Sequence, residues 1–459
     1  MFRIEGLKGK TPVAITIAGS DSGGGAGIQA DLKTFAAIGI HGTTAITSIT
    51  AQNTQRVMAV ADLDPEIIKK QIQAVVEDIG IDAGKTGMLH TKEIVKTVAS
   101  KVSQYQFPLV VDPVMVAKSG VPLIEPEAVD SLKAHLLPLA TVVTPNRSEA
   151  EKLTDITIGN IGNAKTAAKE ISEMGPEAVV IKGGHLNLQY ATDVLYHKGK
   201  YEILKTPWLD MKTTHGTGCS FSAAIAAELA RGKDVLLSVR KAKKFTALAI
   251  KFGLTLGKGP GPVNPLAFLY RRASRSYVLE NVKEAKQMLE SSSGISDLVP
   301  EVGMNVAMSV PYAEGLKDIA AIEGRLVRTA RGVETAGDIT FGSSSHLARY
   351  LLAVAEHDPY KKAAINLKFS ENILSILKRH GLKTSSYDRR KEPKEVKEIE
   401  GMTIPWGVKE AIERDGKVPD VIYHRGEIGR EPMIVILGKE ARDVAQLVIH
   451  IAKKMKAHE

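Results

Sequence analysis

Five short segments of this sequence, most of them apolar, each end in glycine or polar residues, and stretches with helical character lie between them. Their residues are 13–18, 83–86, 109–111, 141–143 and 179–182. Short apolar runs without polar alternation are typical of buried strands. Strands that alternate with helices predict an α/β fold around a mostly parallel sheet, and such folds bind ligands beyond the carboxyl ends of the strands. We therefore expect functional residues in the loops that follow these strands.

The most informative loop is Gly216-Thr217-Gly218-Cys219, which precedes an alanine-rich helical stretch at 223–229. Its glycines allow left-handed backbone angles and the close approach of a ligand. A helix that starts here would present free N–H groups and the positive end of its dipole to an anion. At such a helix start, the thiol pKa of Cys219 is expected to be lowered. A glycine turn before a core helix with a buried cysteine explains the loop equally well.

A second glycine loop, Gly19 to Gly27, follows the first strand and leads into a predicted helix at 28–38. Its spacing matches neither a Walker A loop nor a dinucleotide-binding GxGxxG motif. Asp31 lies one turn into that helix, either as a site residue or as a solvated first-turn acid. Gln52 follows a β-branched strand, 43–50, and its amide could meet the edge of a heterocycle or belong to an ordinary polar turn.

Polar residues at two later strand ends suit a phosphate site. Asn146 and Glu149 could hold Mg²⁺ through water beside phosphate groups. Lys182 could balance phosphate charge, although a strand-end lysine can also be simply solvated. His185 is interpreted as an ordinary loop residue.

The run Gly257–Pro262 interrupts regular structure and closes the first unit. A polar helical connector is predicted over 271–294, and residues 295–459 show a different pattern. The predicted strands there are 306–310 and 433–437, and the predicted helices are 347–356, 370–379 and 441–454. These elements indicate a second, smaller α/β domain.

Two clusters in this second part are candidates for anion binding. Arg325, Arg328 and Arg331 are spaced by three residues. On a helix they would share one face and form an anion clamp, and in an irregular segment they could still converge. The polar loop 337–345 leads into a helix with His346 near its start, where the imidazole could donate to a phosphate. Taken singly, the clusters also fit a solvated arginine face and a serine-rich helix cap. Their occurrence together favours an anion site.

Composition narrows the classes of function. The chain has 459 residues, a formal net charge of +9 and one cysteine, which fits two or three domains in a reducing cytosol without an internal disulfide. There is no recognisable nucleic-acid-binding motif, no apolar run of about 20 residues and no signal-peptide core. The expected partners are small anionic molecules and further copies of the chain, in the cytoplasm, without nucleic acid or membrane. The charge-dense run 389–400 is interpreted as a solvated loop or helix face.

Together, the motifs of the first part resemble the hydroxymethylpyrimidine kinase/phosphomethylpyrimidine kinase family of the ribokinase-like superfamily. The resemblance covers about residues 11–270. It is carried by IAGSD at 17–21, GGAGIQAD at 24–31, AQNT at 51–54, KTGML at 85–89, TPN at 144–146, KGGH at 182–185 and THGTGC at 214–219. It implies phosphorylation of 4-amino-5-hydroxymethyl-2-methylpyrimidine to the monophosphate and then the diphosphate, with ATP as donor and Mg²⁺ as cofactor.

The resemblance also implies roles for individual residues. Gln52 would bind the aminopyrimidine, and Cys219 would replace the aspartate base of related sugar kinases, so both residues argue against a sugar substrate. Further substrate contacts are implied for Gly19, Ala26, Asp31, Met88 and Val116, ATP or phosphate contacts for Asn146, Lys182, Thr214, Gly216, Thr217 and Gly218, and metal binding for Glu149.

Residues 295–459 resemble the thiamine-phosphate synthase domain that is fused behind this kinase in archaea and some bacteria. This resemblance implies condensation of the pyrimidine diphosphate with 4-methyl-5-(2-phosphoethyl)thiazole, giving thiamine phosphate and pyrophosphate. Arg325 and His346 match its catalytic positions. The alternative is a non-catalytic, thiamine-phosphate-binding regulatory domain. Relatives of that kind are attached to DNA-binding segments, and since none is recognisable here, the enzyme is favoured.

Overall fold

The computed structural model of the chain describes residues 11–117, 120–183, 189–335, 337–427 and 429–456. His185 and Gly184 of the sequence motifs lie outside these ranges. The chain divides into two units, Met1–Leu269 and Tyr270–Glu459, and each is described by itself.

One nine-stranded sheet forms the centre of the first unit. Its strands are β1 (Val13–Asp21), β2 (His41–Gln52), β3 (Val57–Asp62), β4 (Ala83–Thr86), β5 (Leu109–Val111), β6 (Val142–Val143), β7 (Ala178–Gly183), β8 (Tyr190–His197) and β9 (Lys200–Pro207). The order is β3-β2-β1-β4-β5-β6-β7-β8-β9. The six strands from β2 to β7 in that order are parallel, and β3, β8 and β9 run antiparallel to their neighbours.

Helices cover both faces of this sheet. They are α1 (Gly27–Ile38), α2 (Pro65–Ala74), α3 (Lys92–Tyr105), α4 (Pro126–Ser131), α5 (Arg147–Thr154), α6 (Ile161–Glu173), α7 (Thr217–Ala230) and α8 (Val235–Lys251); α9 (Leu266–Ala273) crosses the unit boundary. Successive strand residues enter opposite layers, so that Ile15 packs in one apolar core and Ala14 in the other. The first core contains residues of α2 to α6, and the second contains residues of α1, α7 and α8.

The predicted mostly parallel α/β fold is confirmed in this unit. The predicted buried strands are present, and their side chains are enclosed on both faces, as apolar runs without alternation indicated. The antiparallel strands β3, β8 and β9 were not predicted. They lie toward the sheet edges, where many side chains stay exposed and the apolar signal is weak.

A seven-stranded sheet forms the centre of the second unit. Its strands are β10 (Val306–Ser309), β11 (Ile319–Ile322), β14 (Ile339–Phe341), β15 (Ala363–Lys368), β16 (Thr384–Ser386), β17 (Val421–His424) and β18 (Met433–Gly438), and a separate hairpin pairs β12 (Val327–Thr329) with β13 (Gly332–Glu334). The order is β14-β11-β10-β15-β18-β17-β16, and only the β16–β17 pair is parallel in the described part of this sheet.

Helices again pack on both faces, which confirms a second α/β region. They are α10 (Arg275–Glu290), α11 (Ser345–Ala355), α12 (Glu371–Arg379), α13 (Lys394–Lys397), α14 (Thr403–Asp415) and α15 (Ala441–Lys456). Residues of α10, α12 and α15 share one core, and residues of α11 and α14 share the other. The segment predicted as a connector, 271–294, is largely α10, whose apolar face is part of the first of these cores. No helix within the described ranges is long and apolar enough to cross a membrane.

The packing of α10 predicts that this helix stabilises the second unit. Leu289 is fully buried in that core, so Leu289→Ala should lower the free energy of unfolding by about 2–5 kcal/mol. Denaturant unfolding of the full chain measures this loss in the transition of the second unit. Lys283→Ala, on the exposed side of the same helix, should change it by less than about 0.5 kcal/mol. Equal, small effects of both substitutions would show that α10 is only a connector.

Candidate active sites

A cavity of about 320 Å³ opens at the carboxyl ends of the parallel strands in the first unit. Most of the sequence-predicted residues line it, namely Gly19, Ala26, Gln52, Met88, Val116, Asn146, Glu149, Lys182, Thr214, Gly216, Thr217, Gly218 and Cys219. Four further lining residues carry charge or an imidazole and were given no role from sequence: Asp21, Lys85, Asp112 and His215.

Asp21 fixes the glycine loop that follows β1. Its carboxylate accepts hydrogen bonds from the backbone N–H groups of Gly23 (2.8 Å), Gly25 (3.0 Å) and Ala26 (2.8 Å), and it lies 3.1 Å from His215 Nε2. Burial alone would raise the pKa of Asp21, but the bonds from His215 and the backbone lower it below its ordinary value. Gln52 Nε2 lies 3.3 Å from the same ring nitrogen, so the Gln52 amide lies beside the Asp21–His215 pair at the cavity; when the imidazole donates to Asp21, this nitrogen cannot also accept from the amide.

A buried ion pair joins the cavity lining at Lys85 to Asp31 behind it. Lys85 on β4 and Asp31 on α1 are both fully buried, with Lys85 Nζ 2.9 Å from Asp31 Oδ2, and the Thr16 hydroxyl donates to the same oxygen at 2.7 Å. Burial alone would lower the pKa of Lys85, but Asp31, followed by Cys219 and Asp112, raises it above its ordinary value. Lys85 therefore stays a cation beneath the site.

The prediction that Asp31 contacts the substrate is therefore not matched by this geometry. Its side chain is fully enclosed and holds Lys85 rather than lining the cavity. Sequence reasoning missed Lys85, although a lysine inside a short apolar strand is a signal, because a buried lysine requires a partner of opposite charge.

A second ion pair joins the ends of β5 and β7. Asp112 Oδ1 accepts from Lys182 Nζ at 3.1 Å, and Asp112 Oδ2 accepts from the Ser222 hydroxyl on α7 at 3.1 Å. Lys182 Nζ would lie 3.3 Å from a Cβ atom at Gly218. The ammonium group is thus held against the start of α7, as a phosphate-balancing role requires. Asp112 directly follows a predicted strand, a position that could have identified it.

The glycines of the loop before α7 serve different purposes. Gly216 has a φ of 78°, and a Cβ atom there would lie 1.8 Å from the carbonyl oxygen of Gly25. It therefore brings the two glycine loops into contact. Gly218 does not have the expected left-handed conformation, and glycine instead leaves room for the Lys182 ammonium group. The helix begins at Thr217, so its first N–H groups face the cavity as predicted for an anion-binding loop.

The thiol of Cys219 departs from its expected ionisation. Cys219 is the third residue of α7 and lines the cavity, yet burial raises its pKa to about 11, with Lys85 opposing that rise. The expected lowering is wrong because burial, assisted by the nearby carboxylates of Asp31 and Asp112, outweighs the helix start. The thiol of Cys219 is therefore neutral at pH 7.

Asn146 and Glu149 cap α5 reciprocally. Asn146 Oδ1 accepts from the Glu149 N–H at 3.0 Å, and Glu149 Oε2 accepts from the Asn146 N–H at 2.7 Å. Burial raises the pKa of Glu149 to about 7. The described residues contain no cluster of three His, Cys, Asp or Glu side chains able to enclose a metal. One or two carboxylates at a phosphate site nevertheless fit Mg²⁺, which keeps most of its water and shares phosphate oxygens.

A second cavity, of about 310 Å³, opens in the second unit. It brings together the two predicted catalytic residues, Arg325 and His346, from segments that are 21 positions apart. Its other lining residues are Val302, Gly303, Asn305, Ser343, Ser344, Ser345, Leu347, Asn366, Arg389, His424, Arg430, Glu431 and Met433. Asn305 and Asn366 pair across β10 and β15, with the Asn305 N–H donating to Asn366 Oδ1 at 2.7 Å.

The arginine segment does not form a helix. The segment enters the hairpin β12–β13, because Gly324 and Arg325 both adopt left-handed angles (φ 77° and 66°) that turn the chain. Of the three arginines, Arg325 lines the cavity, and its guanidinium donates to the Val302 carbonyl. Arg328 donates instead to the carbonyl of Val299, and Arg331 is exposed.

His346 lies in the first turn of α11, as predicted. Ser344 caps that helix by accepting from the Leu347 N–H at 3.4 Å. Burial, followed by the charges of Arg325 and Arg389, lowers the pKa of His346 to about 4. His346 is therefore neutral at pH 7 and presents one N–H donor.

Arg389 and His424 are further site residues that sequence reasoning did not identify. The interpretation of residues 389–400 as solvated is wrong at Arg389, whose buried Nε has no hydrogen-bond partner among the described residues. Burial and the charge of Arg389 lower the pKa of His424 to about 3. The local sequence does not distinguish Arg389 from its neighbours, because Arg390 and Lys391 are also basic residues and are exposed.

Comparison with known proteins separates the same two units. The phosphomethylpyrimidine kinase family model matches residues 21–264, and the thiamine-phosphate synthase ThiN model matches residues 281–450. The bifunctional thiamine biosynthesis protein ThiDN of Methanocaldococcus jannaschii is 32% identical over 450 residues, which cover 96% of this chain and 98% of that protein. The hydroxymethylpyrimidine/phosphomethylpyrimidine kinase of Bacillus subtilis is 45% identical over 257 residues, covering 56% of this chain and 95% of that one.

Solved structures match the first unit. An ADP complex of Bacillus subtilis pyridoxal kinase has 41% identity and a TM-score of 0.52, covering 56% of this chain and 98% of that one. The Staphylococcus aureus pyridoxal kinase with AMP-PCP and pyridoxal has 37% identity and a TM-score of 0.52, covering 56% and 94%.

The ionisation of Cys219 can be tested directly, because it is the only cysteine of the chain. With a pKa of about 11, the rate of alkylation by iodoacetamide should rise about tenfold per pH unit from pH 7 to 10 without a plateau, whereas free cysteine levels off near pH 8.5. Lys85→Met should slow alkylation further, because it removes the cation that lowers this pKa. Cys219→Ser identifies background labelling. A plateau in the alkylation rate below pH 9 would contradict a pKa of about 11 for Cys219.

Proposed function

Because this chain belongs to the phosphomethylpyrimidine kinase family and continues into a ThiN thiamine-phosphate synthase domain, we propose that its two cavities catalyse consecutive steps of thiamine biosynthesis. The first domain is an ATP-dependent hydroxymethylpyrimidine and phosphomethylpyrimidine kinase, and the second is a thiamine-phosphate synthase. The observation that carries this function is the match to a bifunctional relative over nearly the whole chain.

In the first cavity, the pyrimidine ring would lie among Gly19, Ala26, Met88 and Val116, with its amino edge at Gln52. The support for this placement is that all five residues line one cavity. The Gln52 amide lies beside the Asp21–His215 pair. An amide offers both a donor and an acceptor, which matches the adjacent amino group and ring nitrogen of the substrate.

The phosphoryl group would be transferred at the start of α7. The substrate hydroxyl oxygen attacks the γ-phosphorus of ATP, the bond to the β-phosphate oxygen breaks, and ADP leaves. The loop N–H groups at Gly216, Thr217 and Gly218 stabilise the developing charge, and Lys182 neutralises part of it. Cys219 would receive the hydroxyl proton. The Cys219 thiol is neutral at pH 7, so accepting the proton requires that bound substrate lowers the thiol pKa. Lys85 is the cation that favours the thiolate.

Mg²⁺ would be held near Glu149 and Asn146, partly through water, and would neutralise phosphate charge when bound. Both residues line the cavity beside Lys182. Thr214 lines the same cavity, which supports a phosphate contact.

In the second cavity, the bond between the pyrimidine methylene carbon and the diphosphate oxygen breaks, and the thiazole nitrogen supplies the electron pair for the new C–N bond. The pyrimidine ring stabilises the intermediate cation, so the main task of the protein is to stabilise the departing diphosphate. Arg325 and the His346 N–H at the start of α11 suit this task. A purely regulatory binding domain is not favoured, since the match to the bifunctional relative includes this unit. A homo-oligomeric state and a cytoplasmic location remain predictions.

The ionisation of Glu149 predicts a pH-dependent requirement for Mg²⁺. Because burial raises its pKa to about 7, the carboxylate is present above pH 7 and is lost below it. The apparent KM for Mg²⁺ in the kinase reaction should therefore rise about tenfold from pH 8 to pH 6. Glu149→Gln should have a high KM that does not change with pH, and Glu151→Gln, on the same helix but outside the cavity, should behave as wild type. A wild-type response of Glu149→Gln would remove this residue from the metal site.

The synthase assignment predicts separable losses of activity. With pyrimidine diphosphate and thiazole phosphate supplied to the full chain, Arg325→Ala and His346→Ala should each lower kcat about 100-fold, as expected for removal of one leaving-group stabiliser. Kinase activity should not change, and the exposed Arg331→Ala is the matched control. If the wild-type protein binds thiamine phosphate but forms none from both substrates and Mg²⁺, the synthase hypothesis is wrong. The hypothesis of a regulatory binding domain then replaces it.

A further inference from the structure

We propose that Glu431 is a positioning residue of the second cavity: its carboxylate holds the loop 301–303, and this loop holds the Arg325 guanidinium in the direction that binding of an anion requires. This role rests on the proposed synthase function, and neither the sequence motifs nor the comparisons assign it. The observation that leads to it is an acidic side chain in a cavity that otherwise suits anions.

Glu431 is the one acidic side chain among the described residues that line this cavity, whose other charged side chains are arginines. A carboxylate facing the open cavity would repel a diphosphate. Both carboxylate oxygens are instead occupied, since Oε1 accepts from the backbone N–H of Glu301 at 2.8 Å and Oε2 accepts from that of Val302 at 3.2 Å. The carboxylate is therefore bound to a loop.

The same loop supports Arg325. The Arg325 guanidinium donates to the Val302 carbonyl, and the side chain lies across Gly303, where a Cβ atom would approach Arg325 Cβ to 3.2 Å and Cδ to 3.3 Å. Two backbone hydrogen bonds between Met304 and Leu326, at 2.9 and 2.7 Å, join the loop to the segment of Arg325. The direction of the guanidinium thus depends on where Val302 and Gly303 lie.

Arg325 needs such a support because its own conformation is unfavourable. The residue is exposed and has a left-handed backbone angle, φ 66°, which is disfavoured for a residue with a side chain and persists only when its surroundings enforce it. An exposed arginine also loses rotamer freedom when it is held in one direction. A side chain that fixes the loop therefore also fixes the guanidinium.

Two neighbouring strands of the sheet anchor this loop. Asn366 on β15 donates to the Gly303 carbonyl at 3.0 Å, and Glu431 lies just before β18, the strand that pairs with β15. Asn366 is buried and also accepts from the Asn305 N–H, so it joins parts of the core as well. Glu431 is half-buried and binds only the loop in the contacts described. Substitution of Glu431 therefore releases the loop and leaves the strand pairing intact.

The sign of the effect on anion binding distinguishes positioning from simple repulsion. If the charge of Glu431 acts directly on the anion, its removal strengthens anion binding. If Glu431 positions Arg325, its removal weakens binding, because the guanidinium is no longer held. The weakening then passes through Arg325 and disappears in a protein that lacks this arginine.

The test measures pyrophosphate binding to the full chain by calorimetry, with EDTA present so that no metal ion contributes. Glu431→Ala should raise the Kd about tenfold, the loss expected for a misplaced charged donor. In the Arg325→Ala background, the same substitution should change the Kd less than about twofold. Pyrophosphate that binds in the first cavity contributes equally in every variant, so the differences report on the second cavity.

Two further variants control this test. Glu431→Gln keeps one oxygen that accepts from the loop, so it should give a smaller loss than Glu431→Ala; it replaces that variant if Glu431→Ala does not fold, as judged by circular dichroism. Glu301→Gln is the matched control, because it removes an exposed carboxylate from the same loop and keeps the backbone N–H. It should not change the Kd.

Steady-state kinetics provides a second readout. With pyrimidine diphosphate and thiazole phosphate supplied, Glu431→Ala should lower kcat about tenfold in the wild-type background and less than about twofold in the Arg325→Ala background. The KM for Mg²⁺ should stay unchanged. Tighter pyrophosphate binding would show a repulsive charge, equal losses in both backgrounds a general structural role, and a raised KM for Mg²⁺ a metal ligand; each of these results overturns the proposal. If the wild-type protein forms no thiamine phosphate but shows the expected binding pattern, the synthase function is refuted and the positioning role is supported.

Discussion

The site of the first domain depends on two lysines that carboxylates from other elements hold in place. In the first domain, Lys85 is enclosed by β4 and α1 and retained by Asp31, while Lys182 is retained by Asp112. Enclosing an ammonium group without a partner would cost several kcal/mol, so each lysine is accompanied by a carboxylate from another element. These pairs tie α1 to β4 and β5 to β7. The positions of the strands and the charge of the site are therefore set by the same contacts.

The site cations of the second domain have different hydrogen-bond partners. Arg389 has an unpaired buried nitrogen, and Arg325 donates only to a backbone carbonyl in the contacts described, while the nearby carboxylate of Glu431 accepts from the backbone N–H groups of Glu301 and Val302. This difference agrees with the two reactions. Phosphoryl transfer spreads existing charge between the loop and the lysine, whereas release of diphosphate leaves a free anion that unpaired arginines can stabilise.

Sequence patterns predicted the strands and loops that depend on local residue chemistry. They did not predict the roles and pKa values that depend on which side chains become buried. The apolar runs gave the parallel strands, and the glycine loop before α7 was correctly placed at a cavity. Asp31 and Arg389 could not be interpreted locally, because only the packing of distant elements makes one enclosed and the other a cavity residue. The thiol pKa of Cys219 failed for the same reason, since its helix position is local but its desolvation is not. Arg325 was assigned by family resemblance, and the local sequence left open whether its segment is helical; the structure shows a turn and a hairpin.

One chain performs both successive phosphorylations and the condensation. The most direct test is the stoichiometry of the complete reaction, with purified protein, hydroxymethylpyrimidine, thiazole phosphate and Mg-ATP. We expect two ADP and one pyrophosphate for each thiamine phosphate formed. Accumulation of ADP and pyrimidine diphosphate without thiamine phosphate would contradict it and leave a kinase joined to a domain that does not catalyse the second step.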